Sequence, residues 1–377
     1  MKILITGGAG FIGSHLSRHL LTLGHQLTIL DNFLPQVHAG NTELAADIAP
    51  HARLVKGDVA DADAFKAALI GVECVVHLAA ETGTGQSMYE VARYERTNIT
   101  GTALLYDLMT KMPGHEVERI VVASSRSIYG EGAYRCNKDG IVYPVSRSSE
   151  DKQTGYYDPF CPKCGGMCVT VPTPESAPFQ PSSFYGLTKQ VQEQTVLLFG
   201  QLMRISSFAL RYQNVYGPGQ SLLNPYTGIL AIFSNLARTG RSIHVFEDGV
   251  ESRDFVYIDD VIQATAACVV GDAIGCHAIN VGSGERTSVF DVARGVNTFY
   301  GSQSSIETTG AFREGDIRHG MADLTHARSL LGYNPQWKFR DGLQQFLTWA
   351  NKAKPSTTGY ERSLAEMRQR GLLHGRA

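Results

Sequence analysis

Short runs that are apolar nearly throughout alternate with longer stretches of helical period in the first half of the chain. Residues 2–6, 27–31, 53–56, 74–78 and 119–124 read as strands, each followed by Gly, Asp or Ser. Residues 12–23, 62–69 and 98–111 carry apolar positions at helical spacing. Strands without a polar face, alternating with helices, predict an α/β fold: a doubly wound, Rossmann-type parallel sheet covered on both sides.

The pattern breaks between 131 and 181 into a Gly, Pro, Cys, Ser and Tyr mixture without a sustained period, the mark of an insertion. A helix at 185–202 and a strand at 208–211 resume it. Beyond Asn214 the chain is loop-rich, with helices near 229–238, 261–270 and 289–298, and with 255–258 and 277–281 as candidates for further strands of the main sheet. The expected organisation is therefore a dinucleotide-binding domain over 1–130 and 178–215, a Cys-containing insertion over 131–177, a smaller substrate-binding lobe over 216–350, and a polar tail over 351–377. An amphipathic stretch at 364–373 within that tail has no role that its pattern assigns.

The 377 residues are 43% hydrophobic and 19% charged, ample for a large core. Lys and Arg number 34 against 36 Asp and Glu, and no block of like charge marks a nucleic-acid or membrane surface. Any anionic ligand must therefore be held by a few placed groups. No run of 18 apolar residues and no signal-like N-terminus is present, so a soluble, cytoplasmic protein is expected.

The first chemical signal lies at Gly7-Gly8-Ala9-Gly10-Phe11-Ile12-Gly13, between a strand and a helix. Glycines there let a pyrophosphate approach backbone N–H groups at a helix N-terminus. Asp31, about 20 residues on, would accept hydrogen bonds from the adenosine ribose and repel a 2′-phosphate, which favours NAD over NADP. Asp58 could meet the adenine amine or cap the next helix. The small residues of Leu78-Ala79-Ala80 would let the cofactor lie close, and His77 reads as a packed histidine.

Tyr185 and Lys189, at i and i+4, share a helix face. The ammonium, with a cationic nicotinamide, would lower the phenol's pKa so that it acts as base, while Ser125 at the tip of the fifth strand bonds the same substrate hydroxyl.

These motifs, with Asp31-Asn32, Asn98 with Gly101-Thr102, the Ser124–Gly130 run, Arg211–Pro218 and Arg253-Asp254-Phe255-Val256, resemble the extended short-chain dehydrogenase/reductase family, nucleotide-sugar 4-epimerase type. The resemblance covers about residues 1–130 and 178–345. It implies NAD contacts at Gly7, Gly10, Phe11, Ile12, Gly13, Asp31, Asn32, Asp58, Val59, Leu78, Ala79, Ala80, Asn98, Tyr185 and Lys189. It implies a sugar-nucleotide diphosphate on Asn214, Arg253 and Arg313, ribose on Asp316, sugar contacts from Ser87 and Ser127, and a homodimer through helices near 102–112 and 185–202.

Relatives that dehydrate the sugar keep acidic residues after the catalytic Ser or Thr, where this chain has Arg126 and Ser127. Epimerisation through a transient 4-keto sugar is the reaction implied, with an NAD(P)H-dependent 4-ketoreductase as the alternative. A non-catalytic NAD-binding sensor is a third class, disfavoured because Tyr185 and Lys189 are both kept. Residues 85–90, 127–132 and 224–228 resemble 4-epimerases of dTDP-linked 6-deoxyhexoses such as dTDP-L-rhamnose more than those of UDP-galactose.

Four of the seven cysteines fall between 136 and 168. Cys161-Pro162-Lys163-Cys164-Gly165 is half of a zinc knuckle, and Cys136-Asn137-Lys138-Asp139 offers a thiolate and a carboxylate at matching spacing. Cys168 is a possible substitute ligand. Two readings stay open: reduced surface-loop thiols, or a structural zinc on Cys136, Asp139, Cys161 and Cys164.

Overall fold

The computed structural model describes all residues except 113, 223, 225–227, 356–357 and 376–377, and the side chain of 358. The 225–227 part of the 224–228 motif therefore lies outside the described residues.

Seven parallel strands form the central sheet. The first five are β1 (Lys2–Thr6), β2 (Gln26–Asp31), β3 (Ala52–Lys56), β4 (Cys74–His77) and β5 (Arg119–Ser125), joined by Ser206–Tyr212 and Cys276–Val281. Their spatial order is Cys276–Val281, Ser206–Tyr212, β5, β4, β1, β2, β3, so the winding reverses beside β1. In such sheets ligands bind at the carboxyl ends of the strands near that reversal.

Both faces of the sheet are covered. Helix α1 (Phe11–Thr22) sends Leu16 and Leu20 into a core shared with helix Ile258–Val270, while Phe65, Leu105, Tyr106 and Val196 cover the other face. Burial on both sides is why these strands carry no polar alternation. Of the two later strand candidates, 276–281 joins the main sheet. Phe255–Tyr257 does not, pairing instead with Asn214–Tyr216 in a separate two-stranded sheet.

The irregular insertion folds into a small antiparallel sheet, with Tyr134–Cys136 between Gly140–Val142 and Cys168–Thr170. The C-terminal segment forms helix Thr358–Gln369 and a strand, Leu373–His374, paired with Phe312–Arg313. Its Ser363, Met367 and Leu373 are buried, and the amphipathic stretch packs against Phe246 and Ala311. Among the described residues no helix is long and apolar enough to cross a membrane.

Candidate active site

At the carboxyl end of β1 the chain turns sharply into α1. Gly7 takes a φ of +68°, and a Cβ there would lie 2.8 Å from the Ala79 nitrogen, so only glycine lets this loop pass against the end of β4. Gly7 O accepts from Gly10 N at 3.1 Å and Gly10 O from Ser14 N at 2.9 Å, which starts the helix. Its first residues, Phe11, Ile12 and Gly13, border a cleft of about 580 Å³ that runs from Asp31 and Asn32 past Val59 and Leu78–Ala80 to Tyr185 and Lys189.

Asp31 is fixed at the far end of this cleft. Its Oδ2 accepts the Ala9 N–H at 3.0 Å and its Oδ1 the Phe33 N–H at 2.9 Å, with His38 Nε2 3.3 Å away, a neighbour that no spacing signalled. An extended cleft with a side-chain-free turn, a helix N-terminus and a terminal carboxylate fits a dinucleotide such as NAD.

Two expected cofactor residues are placed differently. Asp58 does not border the cleft: its carboxylate takes the Asn32 amide at 3.0 Å and the Ala60 N–H at 2.8 Å. Nor does it cap the next helix, because Asp61 does, accepting from Asp63 N and Ala64 N. Asn98 is fully buried, its amide oxygen on Glu81 N at 2.9 Å and its amide nitrogen on Glu81 O and Thr188 Oγ1 at 3.1 and 2.9 Å. It ties the loop after β4 to the helix that carries Tyr185, and does not reach the cleft.

That helix, Phe184–Met203, begins at Ser183, whose hydroxyl accepts the Gly186 N–H. A Cβ on Gly186 would lie 2.6 Å from Ser127 O, so glycine lets the helix start press against the turn after β5 and brings Tyr185 to the Ser125 corner. The Ser125 hydroxyl accepts from Ser127 N at 3.2 Å and Ser127 Oγ at 2.9 Å.

Burial raises the Tyr185 phenol above its ordinary value, against the opposing pull of the Ser125 hydroxyl and the Arg126 guanidinium. Lys189 is not among the groups that lower it. Its Nζ donates to Ala123 O and Gln192 Oε1, both at 2.8 Å, and burial lowers the ammonium to about 7. Of the two cations expected to acidify the phenol, the Lys189 ammonium makes no contribution to the shift here.

A buried polar chain continues from Lys189. Gln192 Nε2 donates to Thr102 Oγ1 at 2.8 Å, Thr102 Oγ1 lies 3.1 Å from His77 Nε2, and His77 Nδ1 lies 2.8 Å from Thr6 Oγ1 on β1. Burial, then Lys189, lowers the His77 ring to about 3, so it is neutral and structural.

A second cavity of about 230 Å³ adjoins the cleft. Arg126 and Asn214 line both, and Arg253, Arg313 and Asp316 line the second, so the residues implied for a diphosphate and its ribose converge. Arg253 is held by the carbonyls of Ser252, Ile317 and Arg318 at 2.8–3.1 Å. Arg313 Nε donates to Asp316 Oδ2 at 2.8 Å; against the upward push of burial, Arg313 and then Arg253 hold that carboxyl below its ordinary range. Burial and then Arg253 lower Arg126 to about 10.

Ser127 borders the cleft, but Ser87 touches neither cavity. Fully buried, Ser87 accepts the Tyr185 N–H at 3.0 Å and donates to Thr84 O at 2.6 Å, so it positions the catalytic helix rather than a sugar. Thr84, which lines both cavities, had no motif to signal it. Glu251 was missed as well, although it lies two residues before Arg253. It lines the second cavity, burial raises it to about 7, and its Oε2 has no hydrogen-bond partner among the described residues.

Cys136, Asp139, Cys161 and Cys164 come together at the tip of the insertion, their ligand atoms all within 4.8 Å of one another. Cys168 packs beside Cys136 and Cys161 but is not one of the four; its thiol donates to Gly166 O at 3.8 Å.

The chain is 41% identical over 350 residues to a dTDP-L-rhamnose 4-epimerase from Burkholderia thailandensis, covering 92% of this chain and 94% of that one. Its fold is similar to a UDP-glucose 4-epimerase from Thermotoga maritima solved with UDP-glucose, at TM-score 0.74 and 28% identity over 93% of this chain and 99% of that one. It is also similar to MoeE5 in complex with UDP-glucuronic acid and NAD, at TM-score 0.74 and 26% identity, with the same coverage. The model of the NAD dependent epimerase/dehydratase family matches residues 3–156 and 163–282. With its glycine turn, its Ser125–Tyr185–Lys189 corner and these likenesses, the chain belongs to the NAD dependent epimerase/dehydratase family.

Proposed function

We propose that the protein is an NAD-dependent nucleotide-sugar 4-epimerase that inverts C4 of a dTDP-linked 6-deoxyhexose such as dTDP-L-rhamnose through a transient 4-keto sugar. The observation that carries the reading is the seam between the two cavities, where Arg126 and Asn214 face both the Ser125–Tyr185 corner and the Arg253–Arg313–Asp316 wall. A bound NAD would supply a hydride acceptor that also returns the hydride, so no external reductant is consumed.

The chain's own groups divide the remaining work. Tyr185 takes the proton of the C4 hydroxyl and gives it back, with Ser125 bonding that oxygen. Asn214, Arg253 and Arg313 hold the diphosphate, and Asp316 accepts from the ribose. Arg126 and Ser127 put no carboxyl beside the sugar, which leaves elimination of water without its acid and base. The choice of sugar is supported by the 41% identical relative, a dTDP-L-rhamnose 4-epimerase, and Phe246, Phe312 and Tyr360 give the second cavity apolar surface against which a nucleobase can lie.

The test is incubation with a panel of dTDP- and UDP-sugars without added reductant, followed by NMR of the sugar ring. Inversion at C4 is expected. Turnover only with added NAD(P)H would assign a ketoreductase, loss of water would overturn the use made of Arg126, and bound NAD with no turnover of any sugar would assign a sensor. The reading also carries a cytoplasmic homodimer. Leu198 and Leu202 lie exposed on helix Phe184–Met203, and light scattering at micromolar concentration would show twice the chain mass.

A further inference from the structure

The geometry points to a structural zinc site on Cys136, Asp139, Cys161 and Cys164 that fastens the insertion and, through it, the loop bearing Arg313 and Asp316. Two tight turns face each other here. One closes the hairpin Cys136–Gly140 with Gly140 at a φ of +71°. In the other, Gly165, at +70°, donates its N–H to Cys161 O at 2.9 Å while Cys161 N bonds Gly166 O at 2.8 Å. Each turn presents a ligand at its first residue and another three residues on, the arrangement of a zinc knuckle.

The separations suit a tetrahedral ion. Cys136 Sγ lies 3.5 Å from Cys164 Sγ and 3.5 Å from Asp139 Oδ2, and Cys161 Sγ lies 3.2 Å from the same oxygen. Ligands about 2.0–2.3 Å from a common tetrahedral centre sit about 3.3–3.8 Å apart; both 3.5 Å separations fall in that range and the 3.2 Å one just short of it. Three thiolates and a carboxylate also match the softness of zinc rather than that of calcium or magnesium. Four protein ligands close the coordination shell, so the ion holds structure and performs no chemistry.

The insertion needs such a fastening. Its own buried apolar cluster is Tyr134, Val142 and three cysteines, too little to fix a three-stranded sheet without a staple. What it fixes lies next to the substrate cavity. Arg147, in the same insertion, donates to Glu131 Oε1, to Glu247 and to the carbonyl of Asp316, each at 2.9 Å, and Glu131 Oε2 accepts the Arg318 N–H at 2.8 Å. Displacing the insertion would loosen residues 313–318.

The test measures metal first and activity second, so it stands whether or not the proposed substrate is right. Full-length protein expressed with zinc and purified under reducing conditions is expected to hold about one zinc per chain by plasma mass spectrometry. Cobalt put in its place should give a thiolate charge-transfer band. Cys161→Ser/Cys164→Ser should lose the zinc and, where a sugar nucleotide is turned over, raise KM several-fold more than it lowers kcat. Cys168→Ser should keep the zinc, and Asp139→Cys should retain it against a stronger chelator than the wild type does. Wild-type protein without zinc above background, zinc unaffected by the double substitution, or a Cys136–Cys164 disulfide in the purified protein would each overturn the proposal.

Discussion

Arg126 Nε donates to the Asn214 amide oxygen across 3.0 Å, and this bond spans the seam between the two cavities. It fixes which end of the amide is the acceptor, leaving the Asn214 nitrogen to donate toward an anionic ligand. Arg126→Leu would free that amide to turn as well as remove a cation. The expected loss is about 2 kcal/mol, or roughly thirtyfold in kcat/KM for the sugar nucleotide. Asn214→Ala should cost much less in the Arg126→Leu background than in the wild type, and fully additive losses in the double-mutant cycle would show that the bond does not matter.

Glu251 shares its cavity with Arg253 and Arg313, and burial lifts it to about 7. Below that pH it is neutral, and above it a carboxylate faces the place proposed for a diphosphate. KM for the sugar nucleotide should therefore rise as pH increases through 7, while Glu251→Gln should give a flatter profile. KM measured from pH 6 to 8.5 decides this, and parallel profiles for the two proteins would remove Glu251 from the account.

Acid stability follows from His77. Burial lowers it from 6.5 in the open chain to about 3 in the fold, so between those values the unfolded chain binds one proton more. Stability from this group is therefore complete above about pH 6.5 and is lost as pH falls, at about 1.4 kcal/mol per pH unit. His77→Gln should start less stable, since it breaks bonds to Thr6 and Thr102, yet lose less on acidification. Urea unfolding from pH 4.5 to 6.5 measures both slopes, and equal slopes would contradict the assignment.

The C-terminal segment should matter to binding more than to the cofactor. Tyr360, Ser363 and Met367 line the second cavity, and Leu373–His374 pairs with the strand that carries Arg313. Truncation after Pro355 is expected to raise KM for the sugar nucleotide about tenfold or more, equivalent to about 1.4 kcal/mol, with NAD content unchanged. An unchanged KM would mean that this segment only covers surface.

The central sheet was legible because strands buried on both faces leave an unbroken apolar record, and the glycine turn because its steric demand admits one residue type. Phe255–Tyr257 has the same apolar record but pairs with Asn214–Tyr216, since apolarity reports burial and not the partner. Ser87 and Asn98 were assigned to ligands because resemblance transfers a residue type, whereas the direction of its side chain depends on neighbours such as Tyr185 N and Thr188. Arg147 and Gln192 left no pattern, being single polar residues whose partners lie far off in sequence or one helical turn away. Glu251 did have a faint signal in its i, i+2 relation to Arg253, which puts both on one side of an extended chain.

The two bonds that hold the Lys189 ammonium have a consequence for what it can offer. An ammonium has three hydrogens, and Ala123 and Gln192 engage two of them. One N–H is left, with its direction set by the protein, so this lysine serves a single acceptor as an aimed donor and not as a loose positive charge. A planar guanidinium could not keep both anchors and the same aim, so arginine would not replace it despite carrying equal charge.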